Sequence, residues 1–469
     1  MSEHNKAIQE FLEAACKHIH YKSIHKSIIN ELTDHIEEQK TQYIKEGYSE
    51  EEATAMAIEQ MGDPVLVGNE LDKAHRPKTE WSILSLIAIL LLIGGVVQFL
   101  ISGANPDGSN TFIRFLIYAS IGLTAFTCTY FFDYTQLARY SKLFYFILFG
   151  ITLADFKYSV RFNGTYIHFY GLALLFIPIF AGIIYSFRDK SYGAIFACGL
   201  FYGGAALLCL IAANLSALIL LSIPCLIILT VSIVKGYFKG NKKVGLAIVY
   251  IPVIMTFIWS IVFLFFQSPS RRNRIAVILN PELDPYGEGY YVFMIKRILK
   301  ASRTFGTAVL EGELKNIPLH KMLPGWSTDF SLTYIIGRLG FAAGLIIIGI
   351  VSIFIVRMFI SVIKQKNSFG YLLSLSACIA LTIQFALYVL SNLGIFTVFS
   401  SLTLPFISFG GTGFIVNMVL TGLVLSVYRR TNIVDDRMVM NPHNWKLVNF
   451  EDGKIIIDLG LGKSKRQVE

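Results

Sequence analysis

The run WSILSLIAILLLIGGVVQFLIS, residues 81–102, decides the fold class because it contains no charged side chain. A helix of about 20 apolar residues crosses the hydrocarbon core of a bilayer. Further apolar runs follow at 112–132, 143–156, 166–187, 192–213, 215–234, 244–267, 331–357, 369–391 and 411–428. Overall, 54% of the 469 residues are hydrophobic and 16% are charged, which excludes an ordinary water-soluble protein. The sequence therefore predicts an all-α polytopic membrane protein with about ten transmembrane helices.

The charge is divided unevenly along the chain. Residues 1–78 contain 9 Lys and Arg against 15 Asp and Glu, whereas residues 79–469 contain 32 against 17. Anionic lipid and basic cytoplasmic loops account for a basic membrane part, so no nucleic-acid partner is expected. Alternate short loops hold eleven Lys and Arg, and the opposite loops hold only Arg114, Lys157 and Arg161. Because cytoplasmic loops carry the excess of basic residues, both termini are expected in the cytoplasm.

Residues 1–78 are expected to form a small cytosolic helical domain. Apolar residues recur there at helical spacing, and one helix has clear ends, since Ser49 and Glu52 form a capping box and Gly62 closes it. The segment 31–73 resembles the short helical prefix domain found ahead of bacterial membrane proteins such as permeases. It lacks any grouping of a nucleophile with a base, so we expect a docking or regulatory role without catalysis. No cleavable signal peptide is expected ahead of the first apolar run.

The remaining chain divides into a membrane domain, residues 79–429, and a polar cytosolic tail, residues 430–469. An outer loop at 268–330 is far longer than the other connections, and long ordered loops usually have a function. In the tail, two apolar stretches flank Asp452-Gly453, which predicts a β-hairpin. An isolated hairpin is marginally stable, so we expect it to dock on another element.

One stretch at membrane depth is unlike a simple span. Residues 402–413 read LTLPFISFGGTG, in which Pro405 and three glycines interrupt the apolar pattern. Irregular backbone at that depth must line a cavity or be buried in protein, because lipid cannot satisfy peptide groups. The alternative is a kinked helix followed by tight glycine-mediated helix packing.

Asp329 is the candidate catalytic residue of the outer loop. It lies between Trp326 and Phe330, directly before an apolar run. An apolar rim would desolvate the carboxylate and raise its pKa toward that of a useful general base. The alternative is that an Asp following Ser-Thr is the N-cap of the next helix.

Several motifs together resemble those of the SEDS family of shape, elongation, division and sporulation proteins, to which RodA, FtsW and SpoVE belong. The longest match runs from Ser391-Asn-Leu-Gly through TLPFISFGGT, residues 403–412. Further matches are NPELDPYGEGY at 280–290, LPGWSTDF at 323–330, Leu339-Gly340 and, more weakly, NLSA at 214–217. The resemblance covers roughly residues 80–430 and includes the number of spans and the position of the large outer loop.

This resemblance implies a peptidoglycan glycosyltransferase that polymerises lipid II at the outer face of the bacterial cytoplasmic membrane, beside a class B penicillin-binding transpeptidase. The family's essential Asp falls on Asp329, which would accept the proton of the acceptor sugar O4 hydroxyl as undecaprenyl pyrophosphate leaves. Cations for the leaving group are expected among Arg274, Lys296, Lys300 and Arg303. Their alternative role is contact with lipid headgroups.

The other expected substrate-binding residues come from the same motifs, and they are Asp284, Trp326, Ser408, Gly410 and Gly411. No zinc site is expected, because the six cysteines form no Cys-x-x-Cys pair. A hard divalent cation such as Mg²⁺ could bridge a pyrophosphate through the carboxylates of the outer loop, but no spacing demands one. Hence no metal ligand and no certain cofactor are assigned.

The sequence also departs from the family pattern. Gly325 and Ser327 stand where most relatives have Glu and His, and Gly337 and Arg338 replace two acidic residues. Met294-Ile295 replaces Gln-Ser. An Arg inside a span requires a partner or water, and on a regular helix Arg338 would lie about half a revolution from Asp329, so a direct pair is not favoured.

Two alternative functions stay open on these residues. The first is a catalytically inactive scaffold or regulator of wall synthesis that retains the fold and its partner surface. The second is a flippase for the lipid-linked precursor, because interrupted helices such as the one at 402–413 also build transport sites.

Overall fold

The structure is a computed structural model, and it describes most of the chain. The described residues are 3–20, 25–103, 111–159, 161–162, 165–166, 168–265, 276–277, 280–287, 289–311, 315, 317–395, 402–408, 411–434, 436, 448–451 and 454–457. Arg274 and Gly410, two of the predicted site residues, and Asp452-Gly453, the predicted hairpin turn, lie outside them.

Four helices form the N-terminal bundle. They are α1 (Glu3–Lys17), α2 (His25–Lys45), α3 (Glu50–Met61) and α4 (Pro64–Ala74). Their buried apolar side chains include Ile8, Phe11, Leu12, Ile28 and Ile36, which recur at helical spacing. The capping box is present, since Glu52 N–H donates to Ser49 Oγ at 3.3 Å and Ser49 N–H donates to Glu52 Oε2 at 3.1 Å.

The buried carboxylate of Asp72 connects the first and last helices of this bundle. Asp72 accepts hydrogen bonds from the His20 backbone N–H at 2.9 Å and from Arg76 Nε at 2.9 Å. The His20 backbone bond, with help from the Arg76 guanidinium, holds the pKa of the Asp72 carboxyl below its usual range. Asp72 therefore stays ionised at neutral pH and links the loop after α1 to α4.

The membrane domain consists of long helices and a few short ones. In chain order they are α5 (Trp81–Gly103), α6 (Thr111–Phe131), α7 (Thr135–Arg139), α8 (Ser141–Tyr158), α9 (Phe169–Ser186), α10 (Tyr192–Ile211), α11 (Leu215–Val234), α12 (Lys242–Phe265), α13 (Tyr290–Ala301), α14 (Leu319–Met322), α15 (Ser331–Leu339), α16 (Phe341–Ile363), α17 (Ser368–Asn392) and α18 (Thr412–Arg429). A short hairpin, β1 (Arg161–Phe162) and β2 (Thr165–Tyr166), precedes α9.

Among the described residues, nine helices are long and apolar enough to cross a membrane. The one remaining predicted span, 143–156, corresponds to α8, which has 18 residues and carries Lys142, Asp155 and Lys157 near its ends. At 1.5 Å per residue α8 is about 27 Å long, which nearly equals the thickness of the hydrocarbon core. The predicted helical polytopic membrane fold is confirmed.

The run predicted as a single span at 331–357 is two helices, so that expectation is wrong. The chain breaks at Gly340, whose φ of 98° favours glycine. A Cβ at this position would lie 2.5 Å from the Thr304 carbonyl oxygen, because the segment after α13 passes directly over the break. That segment also caps α16, since Phe341 N–H donates to Arg303 O at 2.9 Å.

Helices α9, α17 and α18 form the centre of the membrane bundle, and 72% or more of the most apolar 18-residue window of each is buried. Helix α12 is the opposite case, because residues 251–260 of its outer half are exposed on every side. Its main packing partners among the described elements are α10 and α11. Its outer half thus stands away from the bundle and leaves room for lipid chains beside it.

Gly422 allows α18 to pack closely against α6, and this contact gives a testable prediction. A Cβ on Gly422 would collide with Thr129 Oγ1 and lie 2.9 Å from the Phe126 carbonyl oxygen, whereas nothing lies within 4 Å of Gly349 on α16. Gly422→Leu should therefore force the two helices apart and lower the melting temperature in detergent by several degrees, while Gly349→Leu should not. Equal melting temperatures for the two variants would contradict this packing.

The segment after α18 connects the membrane domain with the N-terminal bundle. Arg430 donates to the carbonyl oxygens of Phe131 at 2.8 Å and Phe132 at 2.7 Å, which satisfies the C-terminal end of α6. Ile433 is 5% exposed and belongs to the apolar core of the N-terminal bundle. Lys78 N–H donates to Arg429 O at 3.1 Å. The bundle is thus attached to the end of α18.

In the tail, β3 (Val448–Glu451) and β4 (Lys454–Ile457) pair antiparallel, with Glu451 opposite Lys454. The two strands flank residues 452–453, where the sequence pattern predicts the turn of a β-hairpin.

Candidate active site

Asp329 lies in a tight turn directly before α15. Thr328 N–H and Phe330 N–H both donate to the Gly325 carbonyl oxygen at 3.0 Å. Gly325 has a φ of 77°, a left-handed backbone conformation that favours glycine. The Asp329 side chain is half-buried.

The structure excludes Asp329 as the N-cap of α15. Phe330 occupies the N-cap position, and it makes no side-chain cap hydrogen bond. The first amides of α15 are instead satisfied by α17, since Leu332 N–H donates to Tyr388 Oη at 3.1 Å and Thr333 N–H donates to Asn392 Oδ1 at 3.0 Å. The second and third amides of α15 therefore have partners other than the Asp329 carboxylate.

Asn392 clamps the turn that carries Asp329. Its Nδ2 donates to the Asp329 carbonyl oxygen at 2.9 Å and to the Tyr388 carbonyl oxygen at 3.0 Å. Thr333 Oγ1 donates to the Asn392 carbonyl oxygen at 2.8 Å. Asn392 is fully buried, so these bonds form in a region of low dielectric, where they are strong. Sequence reasoning did not assign this role, although Asn392 belongs to the Asn-Leu-Gly part of the family motif.

Helix α17 carries three polar contacts at spacings of four residues. Gln384 Nε2 donates to the Thr403 carbonyl oxygen at 3.2 Å, Tyr388 Oη lies 2.8 Å from Ser331 Oγ, and Asn392 holds the Asp329 turn. Residues four apart lie on one helix face. One face of α17 therefore links the Asp329 turn to the segment at 402–408.

That segment, residues 402–408, is irregular and buried within the protein. It contains no helix, and α18 begins only at Thr412, so the kinked-helix alternative is wrong. Gln98 Nε2 on α5 donates to the Ile407 carbonyl oxygen at 3.1 Å. Ser408 Oγ accepts from Leu404 N–H at 2.7 Å and thus stabilises the turn. Polar side chains from neighbouring helices replace the backbone bonds that lipid cannot supply.

Two predicted site residues, Ser408 and Gly411, lie inside this segment and shortly after it. Gly411 has a φ of 50° and directly precedes α18, which it separates from the irregular backbone. The backbone conformation at Gly411 therefore serves the turn before α18. Ser408 is 1% exposed, so it is buried inside the irregular segment.

Aromatic side chains surround the Asp329 turn. The Trp326 ring lies between Tyr334, at a centroid distance of 4.7 Å, and His320, at 5.7 Å. Phe330 stacks on Tyr291 of α13 at 5.4 Å. The turn therefore has an aromatic rim that includes the predicted Trp326 and Phe330.

Lys296 and Lys300 are exposed on α13, whose opposite face buries Ile295 and Ile298. Lys296 lies beside Gly394, two residues beyond Asn392, since a Cβ on that glycine would be 3.3 Å from Lys296 Cγ. Arg303 is exposed too, but it follows the end of α13 at Ala301 and so does not continue that helix face. The structure thus brings Lys296 close to the helix end that holds Asp329.

Asp284 and Arg338 take positions that the sequence did not predict. Asp284 lies over Gly287 within its own turn, where a Cβ would collide with the carboxylate. Arg338 is not inside a span, because it lies exposed in the last turn of α15, just before the break at Gly340. In the part of the chain that the structure describes, no three His, Cys, Asp or Glu residues are grouped to hold a metal ion.

Comparisons with known proteins cover most of the membrane domain. The family model described as cell cycle protein FtsW/RodA/SpoVE matches residues 80–433. A probable peptidoglycan glycosyltransferase FtsW of Trichlorobacter lovleyi is 31% identical over 167 residues, which are 36% of this chain and 42% of that protein. The peptidoglycan glycosyltransferase MrdB of Escherichia coli is 25% identical over 190 residues, 40% of this chain and 48% of that protein. These matches thus span about half the length of each relative.

Solved structures show the same fold. A chain from a study of how a peptidoglycan synthase complex coordinates polymerization and crosslinking superposes with a TM-score of 0.60 at 18% identity, over 75% of this chain and 98% of that one. The rod shape determining protein RodA of Thermus thermophilus gives a TM-score of 0.52 at 16% identity, over 75% of this chain and 97% of that one.

Proposed function

Because this chain belongs to the FtsW/RodA/SpoVE family of cell cycle proteins, we propose that it is a peptidoglycan glycosyltransferase of cell-wall synthesis. Its substrate is lipid II, a disaccharide carried on undecaprenyl pyrophosphate. The observation that supports this most is the position of Asp329, half-buried inside an aromatic rim and held by buried contacts from α17 rather than used as a helix cap.

The reaction assigns a simple role to this carboxylate. A sugar hydroxyl is a poor nucleophile at neutral pH, so Asp329 accepts the O4 proton of the acceptor as O4 bonds to C1 of the donor sugar. The bond from C1 to the pyrophosphate oxygen breaks at the same time, and the pyrophosphate leaves with its negative charge. Lys296 and Lys300 on α13 stabilise that charge, with Arg274 and Arg303 as further candidate cations.

The membrane orientation follows from the loop charges, with both termini in the cytoplasm and the outer loop on the outer face of the cytoplasmic membrane. This orientation agrees with a substrate that is consumed outside the cell. The exposed outer half of α12 leaves a route by which the polyprenyl chain stays in lipid while the sugar reaches Asp329. A class B penicillin-binding transpeptidase is the proposed partner, because the new glycan must be crosslinked.

The direct test uses purified protein and fluorescent lipid II, with the products separated by length. Extension to long glycan chains is the expected result, and the absence of extension in the presence of the partner transpeptidase would contradict the proposal. The same assay with EDTA tests whether a divalent cation such as Mg²⁺ is required, since full activity in EDTA would exclude that requirement.

Neutralising the α13 cations should weaken substrate binding. Lys296→Gln together with Lys300→Gln removes two exposed charges from the face of α13, and we expect the KM for lipid II to rise about fivefold to tenfold, more at low salt. Lys243→Gln, in the first turn of α12 on the predicted cytoplasmic side, is the matched control and should leave KM unchanged. If the double variant Lys296→Gln with Lys300→Gln also leaves KM unaltered, the lysines of α13 contact only lipid headgroups.

A scaffold or regulator without activity is the second candidate. The attachment of the N-terminal bundle to Ile433, directly after α18, favours it, because such a contact would transmit a cytosolic signal to the membrane domain. In that case Asp329→Asn would have no effect in cells, whereas deletion of residues 1–78 would impair wall synthesis.

A further inference from the structure

Two lysine side chains converge on one aromatic ring at the predicted cytoplasmic end of the membrane domain. Lys142 Nζ, at the start of α8, lies 4.6 Å from the centroid of the Phe187 ring, and Lys190 Nζ lies 5.0 Å from the same centroid. The two nitrogens are therefore no further apart than the sum of these distances. Of the rings that the structure describes, Phe187 is the only one with two lysines against it.

Neither lysine forms an ion pair in the described part of the chain. The carboxylates of this region pair with Arg188 instead, whose Nε lies 3.7 Å from Asp189 Oδ2 and whose Nη1 lies 3.4 Å from Asp436 Oδ2. Lys142 and Lys190 are both exposed, and their like charges repel each other. An anion between the two ammonium groups replaces that repulsion by two attractions. The pair therefore favours a negatively charged ligand.

The backbone around Lys190 is fixed by the neighbouring loop. Asp189 N–H donates to the Tyr237 carbonyl oxygen at 2.8 Å, and Lys239 N–H donates to the Lys190 carbonyl oxygen at 2.9 Å. The loop after α9 and the loop after α11 thus form one surface. Lys239 is exposed and adds a third positive charge to this pair of loops.

An aromatic surface leads from the two lysines along the membrane domain. The Phe187 ring lies 6.3 Å from the ring of Phe201 on α10, which in turn lies 6.2 Å from the ring of Phe146 on α8. Phe146 is 62% exposed, and Leu143, next to Lys142, is 56% exposed. Lys142 and Phe146 are four residues apart and share one face of α8. A ligand that fits this surface has an anionic end and an apolar chain.

We propose that Lys142, Lys190 and this aromatic surface form a binding site for one anionic phospholipid of the inner leaflet. The lipid phosphate lies between the two ammonium groups, and an acyl chain lies along Phe146 and Leu143. Each lysine is a point charge on a flexible stem, so both reach one phosphate group. Basic pockets between transmembrane helices on the cytoplasmic side are suited to anionic headgroups. The site is remote from Asp329 in the predicted orientation, so it does not depend on the proposed function.

The test compares phosphatidylglycerol with phosphatidylethanolamine of identical acyl chains, added to the purified and delipidated full-length protein and measured by native mass spectrometry. Both lipids contain a phosphate, but ethanolamine carries a positive charge that the two lysines repel. We expect phosphatidylglycerol to bind about tenfold more tightly, and Lys142→Gln together with Lys190→Gln to remove that preference. Equal binding of the two lipids to the wild type would overturn the proposal.

The matched control removes the same charge elsewhere. Lys243→Gln together with Lys366→Gln changes two exposed lysines on the same predicted side of the membrane, and it should keep the preference for phosphatidylglycerol. If this control loses the preference as fully as the Lys142 and Lys190 variant, only the overall charge matters and the proposed site is wrong.

A third arm separates a lipid site from a site for soluble phosphate. Glycerol 3-phosphate carries a phosphate group without acyl chains, so at equal concentration it should leave bound phosphatidylglycerol in place. Displacement by glycerol 3-phosphate would overturn the assignment of a lipid.

A fluorescence measurement locates the bound lipid. Phe146→Trp places a reporter on the proposed path of the acyl chain, and brominated acyl chains quench tryptophan on contact. The fluorescence gained over the wild type should be quenched more strongly by brominated phosphatidylglycerol than by brominated phosphatidylethanolamine, and the Lys142 and Lys190 substitutions should abolish that difference. Equal quenching by the two lipids would place the anionic lipid elsewhere and overturn the proposal.

Discussion

Asp329→Asn should lower the rate of lipid II extension by a factor of about 10² to 10⁴. Asn has nearly the same shape as Asp, so the turn and its clamp to Asn392 through the Asp329 backbone carbonyl should persist. Only the ability to accept a proton is lost. The measurement compares the initial rates of purified wild type and variant at equal protein concentration, with melting temperatures recorded to show that both are folded.

A matched control exists at the other end of the membrane domain. Asp189→Asn makes the same change in a short loop, where the residue has a φ of 63° that Asn tolerates well. It should extend lipid II at the wild-type rate. Normal extension by Asp329→Asn would remove Asp329 from the mechanism and leave the scaffold function as the better interpretation.

Asn392→Leu should have the second largest effect, on both stability and rate. It removes the donor to the carbonyl oxygens of Asp329, which is half-buried, and Tyr388, which is buried, and the acceptor for the buried Thr333 N–H. Leaving such groups unpaired costs about 1–3 kcal/mol each, so we expect the melting temperature to fall by several degrees. The rate should drop by about 10², because a small displacement of the Asp329 turn misplaces the base.

The control for this variant is another buried asparagine. Asn417 on α18 is fully buried like Asn392, but neither of its side-chain polar atoms has a hydrogen-bond partner. Asn417→Leu removes an unsatisfied amide and should be neutral or stabilising, with extension unchanged. If the two Asn→Leu variants melt at the same temperature, the contacts of Asn392 contribute nothing to the fold.

Much of the architecture could be predicted because lipid imposes a simple rule, namely that a span needs about 20 apolar residues. The break at Gly340 could not be found this way, since the residues on both sides of it are apolar. Its cause is the segment at 303–306, which crosses the helix axis in space and bonds to Phe341 N–H and Ala342 N–H. A contact between residues distant in sequence leaves no periodic signal.

The candidate site shows the same limit more sharply. The sequence singled out Asp329, but it could not decide between a base and a helix cap, because both uses have the same local pattern. The decision comes from Tyr388 and Asn392, about 60 residues further along, which supply the capping bonds. The rim residues Trp326 and Phe330 were predictable because they lie beside Asp329 in the chain, whereas Tyr291 of α13, which stacks on Phe330, was not.

The place of Ile433 in the core of the N-terminal bundle has a consequence for biogenesis. The bundle is translated before the membrane domain, yet one of its core residues, Ile433, is translated only after α18. Throughout synthesis of the intervening spans, the nascent bundle presents an apolar surface that awaits this side chain. The core of the bundle is therefore complete only after the membrane domain has been made, and a product truncated before Ile433 would keep that apolar surface open.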